Sequence, residues 1–307
     1  MTHPVTHPVT HQSMALSEAP GVKERMVHGL GFLPQNLVSY LLGIFVRIPW
    51  PKSIQSVFNQ SFVALFKLNM REAEKPLGAY RTVEEIFTRA LAPNQRRISG
   101  AYVSSADGIL EISKAALSGS TAVQAKGITY SLTELVLGNK IQDISAKWYT
   151  TVYLAPHNYH RVHAPFAGQV TGIRYISGRL WPVNRPAVRA IPGLFCRNER
   201  LVFSVDVATG GKAWVVMVGA FNVGRMSTRL SPEFITNAGS RQYKRSTGPN
   251  DLLLAAPIPI VAGEELGIFM LGSTTVVVLD EVAAAGLRPQ EITTPQTVSM
   301  GQGLAEI

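Results

Sequence analysis

The spacing of apolar residues changes at about residue 99 of this 307-residue chain. Before that point, apolar positions recur at helical spacing and predict an amphipathic helix whose apolar face carries Ile54, Val57, Phe58, Phe62, Leu65 and Phe66. A further helix is predicted to begin at Thr82, because a threonine followed three residues later by Glu85 is a capping box. The inward-facing residues of that helix would be Ile86, Phe87, Ala90 and Leu91.

An earlier apolar stretch, residues 37–46, is too short to cross a bilayer, which needs about 20 apolar residues. It ends at a Pro-rich turn that contains Trp50, where the prolines break any helix. Two short apolar helices joined by such a turn are typical of the bilayer interface. The alternative is that both helices pack on the protein core, and the pattern alone leaves the choice open.

From about residue 99 onward, short β-rich runs alternate with Gly and Pro, at 148–154, 201–206, 213–220 and 274–279. A short helix is predicted at 131–137, whereas the segment from about Ala283 shows little periodicity and predicts coil or a tail. We therefore expect an α+β fold. It would consist of a disordered tail over 1–25, a small helical region over 26–98 and a β-rich body over 99–307.

The chain is basic, with 29 Lys and Arg against 20 Asp and Glu, and its formal charge of +9 favours an anionic partner. The basic residues are spread along the chain without a zinc-finger or RNP-like pattern, so we expect no nucleic-acid partner. The single cysteine, Cys196, excludes an internal disulfide. The N-terminal Thr-His-Pro-Val repeat lacks the apolar core of a secretory signal.

The motif Leu271-Gly272-Ser273-Thr274 immediately precedes a predicted strand. Glycine tolerates backbone angles that other residues do not, so the carbonyl of Gly272 can be held strained beside the Ser273 hydroxyl. Attack by that hydroxyl would convert the peptide bond into an ester, and elimination of the ester would leave a pyruvoyl group at the new N-terminus. Taken alone, a Gly-Ser pair before a strand is more often an ordinary β-turn.

Residues elsewhere in the chain offer partners for this serine. Residues 153–165 contain three histidines, and a turn further upstream carries Asp107. An Asp that orients a His, which in turn deprotonates a Ser, is the usual way to activate a hydroxyl, and Asp107, His163 and Ser273 are candidates for the three roles. His160 and His163 are also spaced like two metal ligands on a helix, but the prolines that flank them disfavour a long helix, so we expect no metal site.

An ordered set of short motifs resembles one known family. The motifs are YRT at 80–82, EIFTR at 85–89, ADG at 106–108, QAKG at 124–127, YSL at 130–132, YHRVH at 159–163, PVN at 182–184, Phe195 with RNER at 197–200, VGA at 218–220 and LGST at 271–274. In this order, over residues from about 69 to 279, the chain is similar to phosphatidylserine decarboxylase, the bacterial membrane-associated and pyruvoyl-dependent family. The ordered set is far more specific than any one motif.

The resemblance implies a role for each candidate residue. Cleavage between Gly272 and Ser273 would leave a large β chain and a small α chain, which begins with a pyruvoyl group derived from Ser273. His163 and Asp107 would drive this self-cleavage, as the base and its orienting carboxylate. His160 would serve the decarboxylation step as the proton donor.

The resemblance also implies the reaction and its setting. Phosphatidylserine would lose CO₂ through a Schiff base with the pyruvoyl cofactor and become phosphatidylethanolamine, in a pocket that Tyr153 would line. The body over 99–307 would be the catalytic domain, and the region over 26–98 would dock peripherally on the anionic, cytoplasmic side of the cell membrane. The α and β chains would form a heterodimer that associates further into a homo-oligomer.

Two other interpretations use the same residues. One is a serine hydrolase that applies Asp107, His163 and Ser273 to external substrates without self-cleavage, although no Gly-x-Ser-x-Gly motif surrounds the serine. The other is a membrane-binding protein that keeps the fold without the chemistry. Intact residues at each candidate position count against this last interpretation.

Overall fold

The computed structural model describes residues 41–125, 127–138, 142–221, 225–236, 249–252, 254–270 and 273–305. Gly272, the predicted tail over 1–25 and the beginning of the apolar stretch over 37–46 lie outside the described residues, and their roles stay predictions. Among the described helices, none is long and apolar enough to cross a membrane.

Residues 41–98 form a layer of short helices, which we call the helical layer. It contains helical residues 41–45, helix α1 (Lys52–Phe66), 3-10 turns at Met70–Glu72 and Leu77–Ala79, and helix α2 (Val83–Phe87). α1 begins after Pro51 and ends where Lys67 adopts the left-handed conformation. The predicted cap of α2 is confirmed, because Thr82 Oγ1 accepts a hydrogen bond from Glu85 N at 3.1 Å.

α1 packs on the protein through polar as well as aromatic side chains, and it exposes several apolar ones. Gln55 and Asn59 are 5% and 3% exposed, whereas Val57 and Leu65 are 61% and 74% exposed. Gln55 Nε2 donates to Asn59 Oδ1 at 2.7 Å, and Asn59 Nδ2 donates to the Tyr80 carbonyl at 3.0 Å. The apolar face predicted from the sequence is therefore divided between side chains that are exposed and side chains that pack on other apolar residues: Ile54, Val57 and Leu65 in the first group, and Phe58, Phe62 and Phe66 in the second.

The body beyond the helical layer is built mainly of strands. They are β1 (Gly108–Ala115), β2 (Thr121–Ala125), β3 (Ile128–Ser131), β4 (Ala146–Leu154), β5 (Arg161–His163), β6 (Gly168–Ile176), β7 (Arg200–Val207), β8 (Lys212–Val218), β9 (Met226–Thr228), β10 (Ser231–Ile235), β11 (Pro249–Leu252), β12 (Ile258–Ile260), β13 (Glu265–Phe269), β14 (Ser273–Asp280) and β15 (Gln296–Val298). The runs predicted at 148–154, 201–206, 213–220 and 274–279 are confirmed within β4, β7, β8 and β14. The fold is thus mixed and rich in strands, as predicted.

Within the described ranges the strands form three sheets, and the strand pairs in them are antiparallel. The largest sheet has nine strands in the order β11-β6-β7-β8-β14-β4-β1-β15, with β12 also paired to β6. The second has the order β10-β9-β13-β5, and the third pairs β2 with β3. β14 therefore lies between β8 and β4 in the middle of the largest sheet.

β14 is buried along almost its whole length. Each residue from Ser273 to Leu279 is buried, and Val276 and Val278 have no exposed surface. A strand covered on both faces needs apolar residues on both, which explains the uninterrupted Val-rich run in the sequence. The strand that begins with the candidate serine is thus held in the main hydrophobic core.

Short helices cover the sheets and correct one prediction. They are α3 (Leu132–Leu137), α4 (Arg185–Ala190), α5 (Leu194–Arg197) and α6 (Glu281–Leu287). α3 confirms the short helix predicted at 131–137. The prediction of coil or a tail from Ala283 onward is wrong, since α6 and β15 lie there. α6 is capped by Asp280, whose Oδ1 accepts from Ala283 N at 2.8 Å, and β15 is fixed by pairing with the distant β1, a contact without a local signal.

Candidate active site

The largest sheet and the second sheet meet at a corner where strands that follow one another along the chain belong to different sheets. β4 pairs with β14, so that Leu154 lies opposite Ser273, and the next strand, β5, pairs with β13. Phe269 N, at the end of β13, donates to the His160 carbonyl at 3.0 Å. The turn between β4 and β5, which carries His157 and His160, therefore runs beside the end of β13. The sequence-distant candidates are brought together at this corner.

The Ser273 side chain is 1% exposed, and its hydroxyl has no hydrogen-bond partner among the described residues. It shares a face of β14 with Thr275, because side chains alternate along a strand. Thr275 Oγ1 lies 3.1 Å from Ser105 Oγ, and the Ser105 carbonyl accepts from His163 N at 2.8 Å. These contacts connect the face of β14 that carries Ser273 to the strand that carries His163.

His163 is a neutral base in this setting. Its Nδ1 lies 2.7 Å from the Gly263 carbonyl, which only accepts hydrogen bonds, so Nδ1 carries the proton and Nε2 carries the lone pair. The Tyr159 hydroxyl lies 3.0 Å from Nε2 and donates to it. Burial lowers the pKa of His163, which keeps the imidazole unprotonated near neutral pH.

The Asp107 carboxylate binds Arg96 rather than a histidine. Arg96 Nε donates to Oδ1 at 2.9 Å, Arg96 Nη2 donates to Oδ2, and Met300 N donates to Oδ1 at 2.8 Å. Arg96 Nη2 also binds Glu72 Oε2 at 2.8 Å. Both ring nitrogens of His163 thus have partners other than Asp107, although the charge of Asp107 acts to raise the His163 pKa from a distance.

His160 is fully buried and has one uncommitted nitrogen. Nδ1 lies 2.8 Å from the Asn158 carbonyl and therefore carries the proton, while Nε2 has no partner among the described residues. The Phe87 ring of α2 lies against the imidazole, with ring centroids 3.9 Å apart. Burial lowers the pKa of His160 to about 3. The described state can accept a proton at Nε2, and it must gain one before it can donate.

The family assignment follows from comparison with known proteins. A family model described as phosphatidylserine decarboxylase matches residues 83–306, which is most of the chain and includes the candidate residues described above. The chain belongs to the phosphatidylserine decarboxylase family.

Curated members of the phosphatidylserine decarboxylase family match over most of their own length. A protein of Anaeromyxobacter sp. (strain K) is 36% identical over 275 residues, 86% of this chain and 92% of the relative. One from Psychrobacter arcticus is 37% identical over 281 residues, covering 89% and 95% of the two chains. One from Halorhodospira halophila is 40% identical over 257 residues, covering 82% and 84%. All three are named phosphatidylserine decarboxylase proenzyme.

Tyr153, the lining residue implied by the resemblance to phosphatidylserine decarboxylase, lies apart from the serine hydroxyl. It pairs with Thr274 across β4 and β14, whereas Ser273 pairs with Leu154. Because paired residues share a face and successive residues alternate, Tyr153 and Ser273 project from opposite faces of the sheet. Among the described residues, no group of three His, Cys, Asp or Glu side chains is placed to hold a metal.

Two residues of the site were given no role from the sequence. Tyr159 belongs to the same family motif as His160 and His163, and its position in that motif was the available signal. Arg96 follows a Pro-containing turn outside the family motifs quoted above, and its contact with Asp107 depends on the tertiary fold. A basic residue in a turn predicts a solvent-exposed charge, so the sequence carried no signal for Arg96.

Proposed function

We propose that this chain decarboxylates phosphatidylserine to phosphatidylethanolamine and CO₂ after it cuts itself between Gly272 and Ser273. The observation that carries the proposal is the Ser273 hydroxyl, which is buried and has no partner among the described residues. Ser273 begins a strand at the corner to which strand pairing also brings the segment of His160 and His163, whose pKa values are lowered by burial. The word proenzyme in the names of the relatives suits a chain that matures by cleavage.

In the proposed self-cleavage, His163 Nε2 takes the proton of the Ser273 hydroxyl. The Tyr159 hydroxyl donates to the same nitrogen, so Tyr159 and Ser273 would compete for it. The hydrogen bond from Tyr159 must therefore break before Ser273 reacts. The serine oxygen attacks the Gly272 carbonyl and forms an ester, and the amide nitrogen takes up a proton. Loss of the Ser273 α-proton then expels the Gly272 carboxylate. Water hydrolyses the resulting dehydroalanine to a pyruvoyl group and ammonia.

Burial and the charge of Arg161 lower the pKa of His163, whereas two carboxylates and a backbone carbonyl act in the opposite direction. A buried histidine resists protonation, but the charges of Glu265 and Asp107 both act to raise its pKa. The hydrogen bond from Nδ1 to the Gly263 carbonyl also favours the protonated ring and fixes its orientation. We propose that Asp107, held by Arg96, assists the base through its charge.

The site suits a pyruvoyl cofactor derived from Ser273, because the hydroxyl that would be consumed makes no hydrogen bond to a described residue. When formed, the pyruvoyl group supplies a ketone that serves as an electron sink for the loss of CO₂. His160 Nε2 is uncommitted, and the carboxylate of a bound substrate would raise the lowered pKa of this buried imidazole, so that Nε2 can take the proton that the substrate ammonium must release. We propose that His160 returns this proton to the substrate α-carbon after CO₂ has left.

The two product chains are proposed to stay together. The α chain would begin with β14, which is paired with β4 on one side and β8 on the other and is buried in the core. Its separation would expose this apolar strand to water, at roughly 25 cal/mol for each Å² of apolar surface. We therefore propose a heterodimer of α and β chains, and further association into a homo-oligomer as the resemblance implies.

We further propose that the protein docks peripherally on the cytoplasmic side of the cell membrane. The support is the helical layer, in which large apolar side chains are exposed while α1 is attached through Gln55 and Asn59. The exposed side chains are Leu41, Leu42, Ile44, Phe45, Ile48, Ile54, Val57 and Leu65. The net charge of +9 adds attraction to anionic lipid such as phosphatidylserine itself.

The decisive experiment compares the intact masses of wild type, Ser273→Ala and Thr274→Val under denaturing conditions. Thr274 carries the neighbouring hydroxyl, which is also buried and without a partner among the described residues, but projects from the other face of β14. We expect two chains for wild type and Thr274→Val, with the smaller beginning at position 273 without a free amine, and one inactive chain for Ser273→Ala. An uncut wild-type chain that is active would favour the serine hydrolase instead.

A second variant separates self-cleavage from decarboxylation. His160→Ala is expected to be cut at least partly, because His163 is the proposed base for that step. Its release of CO₂ from phosphatidylserine should fall by about 10²–10⁴, the usual contribution of a general acid or base. Normal turnover by His160→Ala would show that another group moves the proton.

A further inference from the structure

Several buried polar atoms have no hydrogen-bond partner among the described residues. They include Tyr80 Oη, Arg89 Nε, Arg89 Nη1, His160 Nε2 and Ser273 Oγ. Buried polar groups are nearly always hydrogen-bonded, so each exception calls for an explanation. His160 and Ser273 are explained by the proposed chemistry. Arg89 is not, and it is the group in this set with a full positive charge.

Arg89 is 4% exposed and makes little contact with acceptors. It follows the end of α2, and its Nη2 donates to the His157 carbonyl at 3.3 Å, while Nε and Nη1 have no partner among the described residues. A buried guanidinium is costly unless it is paired and hydrogen-bonded. Arg89 is therefore a buried cation with two donor atoms that lack acceptors among the described residues.

The nearest carboxylates are already engaged by another arginine. Asp107 and Glu72 both act on Arg89 through their charges, but both are bound directly by Arg96. Two cations and two carboxylates thus balance overall, which lets Arg89 remain charged while buried. The balance leaves its Nε and Nη1 donors without acceptors, and a ligand with anionic oxygens would supply them.

The position of Arg89 relates it to the reaction site. Residues 87–89 run along the histidine segment, because Phe87 packs on His160, Arg161 Nε donates to the Thr88 carbonyl at 3.1 Å, and Arg89 reaches His157. The positive charge of Arg89 also acts on His160 and lowers its pKa further. Arg89 and the uncommitted nitrogen of His160 therefore belong to one buried region.

We propose that Arg89 binds the phosphodiester of the phospholipid substrate, an inference that rests on the proposed function. The substrate offers two anions, a carboxylate and a phosphodiester. Decarboxylation moves charge away from the carboxylate, so a cation paired with it would stabilise the ground state more than the transition state and slow the reaction. The phosphodiester keeps its charge throughout, and a guanidinium matches phosphate oxygens in geometry.

The test uses the Ser273→Ala protein, in which binding is measured without cofactor formation. Three soluble ligands separate the two anions. Dihexanoyl phosphatidylethanolamine has the phosphodiester alone, O-hexanoylserine has the carboxylate alone, and dihexanoyl phosphatidylserine has both. Calorimetry gives each affinity before and after Arg89→Gln and Arg89→Lys. Arg174→Gln is the matched control, because this partly exposed arginine pairs with Asp251 on β11, away from the histidine segment.

Arg89→Gln is expected to lower the affinity for both phospholipids by about 10- to 100-fold, the range for hydrogen bonds to a charged group. Its affinity for O-hexanoylserine should not change. Arg89→Lys, which keeps the charge without the planar fork, should fall between, and Arg174→Gln should match the parent.

Three results would overturn the assignment of Arg89. A loss confined to the two carboxylate-bearing ligands would assign it to the carboxylate, an equal loss for all three ligands would give it a structural role, and absence of saturable phospholipid binding to Ser273→Ala would remove the site. Failure of the proposed function is observed separately, as a wild-type chain that stays uncut or releases no CO₂ from phosphatidylserine.

Discussion

α1 and β14 contain similar apolar residues and use them in opposite ways. Val276 in β14 has no exposed surface, whereas Val57 in α1 is 61% exposed. The buried residues of α1 are the polar Gln55 and Asn59, while β14 is held by apolar contacts on both faces. The apolar residues of β14 stabilise the body, whereas several apolar residues of α1 remain exposed to solvent. This difference supports the proposal that α1 faces a membrane, while β14 faces the protein interior.

The largest expected effect comes from placing one charge in each region. Val276→Asp buries a carboxylate without a partner and should prevent folding, because such a charge costs several kcal/mol. Val57→Asp, at an exposed position, should change the free energy of unfolding by no more than about 0.5 kcal/mol. Urea denaturation measures the effect of Val57→Asp, and the absence of a cooperative urea transition would show that Val276→Asp does not fold.

Val57→Asp also tests membrane docking. Val57→Asp should bind phosphatidylserine-containing vesicles more weakly than wild type in a flotation assay, since its side chain would enter the interface. If Val57→Asp floated as well as wild type and was as destabilised as Val276→Asp, the contrast between the two regions would be lost.

The sequence predicted elements better than it predicted their orientation. The Thr82 cap and the Val-rich run of β14 are local signals, and both were identified correctly. The periodicity of α1 identified a helix but left open whether its apolar face packs on the protein core or lies at the bilayer interface. In the structure Gln55 and Asn59 are the buried residues, a division that the periodicity did not indicate. A periodic pattern cannot tell a protein core from a lipid surface, because both select the same side chains.

The candidate site was predictable where it lies within motifs and not where it depends on tertiary contacts. His160, His163 and Ser273 belong to family motifs, and strand pairing brings their segments to one corner. The binding of Asp107 by Arg96 results from a loop that folds back onto the start of β1, and no spacing rule encodes it. The burial of Arg89 also depends on tertiary contacts, so it could not be predicted from the sequence.

The next effect concerns His160, which lies between the helical layer and the body. Its pKa is about 3 in the folded protein and about 6.5 when unfolded, so between these values the unfolded state binds the extra proton. Stability should therefore fall as the pH decreases from about 6.5, by up to about 1.4 kcal/mol per pH unit for this residue. Urea unfolding from pH 7 to pH 4 measures the slope.

A pair of substitutions in the same turn isolates this pH dependence. His160→Gln should reduce the slope, leaving the contribution of His163, whose pKa is also lowered by burial. His157→Gln, at an exposed position, should keep a slope of stability against pH close to that of wild type. Equal slopes for wild type and His160→Gln would contradict a neutral, buried His160.

A smaller effect is expected from the polar attachment of α1. Asn59→Ala leaves the Gln55 amide without its acceptor and the Tyr80 carbonyl without its donor, which should cost about 1–3 kcal/mol. Gln60→Ala, an exposed substitution on the same helix, should cost no more than about 0.5 kcal/mol. Thermal unfolding compares the two. If Asn59→Ala were as stable as Gln60→Ala, apolar contacts would suffice to hold α1.

The smallest effect separates stability from function, using one helix cap from each region. Thr82 caps α2 and Ser131 caps α3, each through a side-chain oxygen 3.1 Å from a backbone N–H, so Thr82→Ala and Ser131→Ala should each cost about 1 kcal/mol. α2 also carries Phe87 onto His160 and leads into Arg89. Fraying of α2 should therefore raise KM for phosphatidylserine severalfold in Thr82→Ala, while Ser131→Ala should keep the wild-type value. Equal KM values in the two variants, at equal loss of stability, would mean that α2 supports the fold without positioning the proposed phosphate-binding arginine.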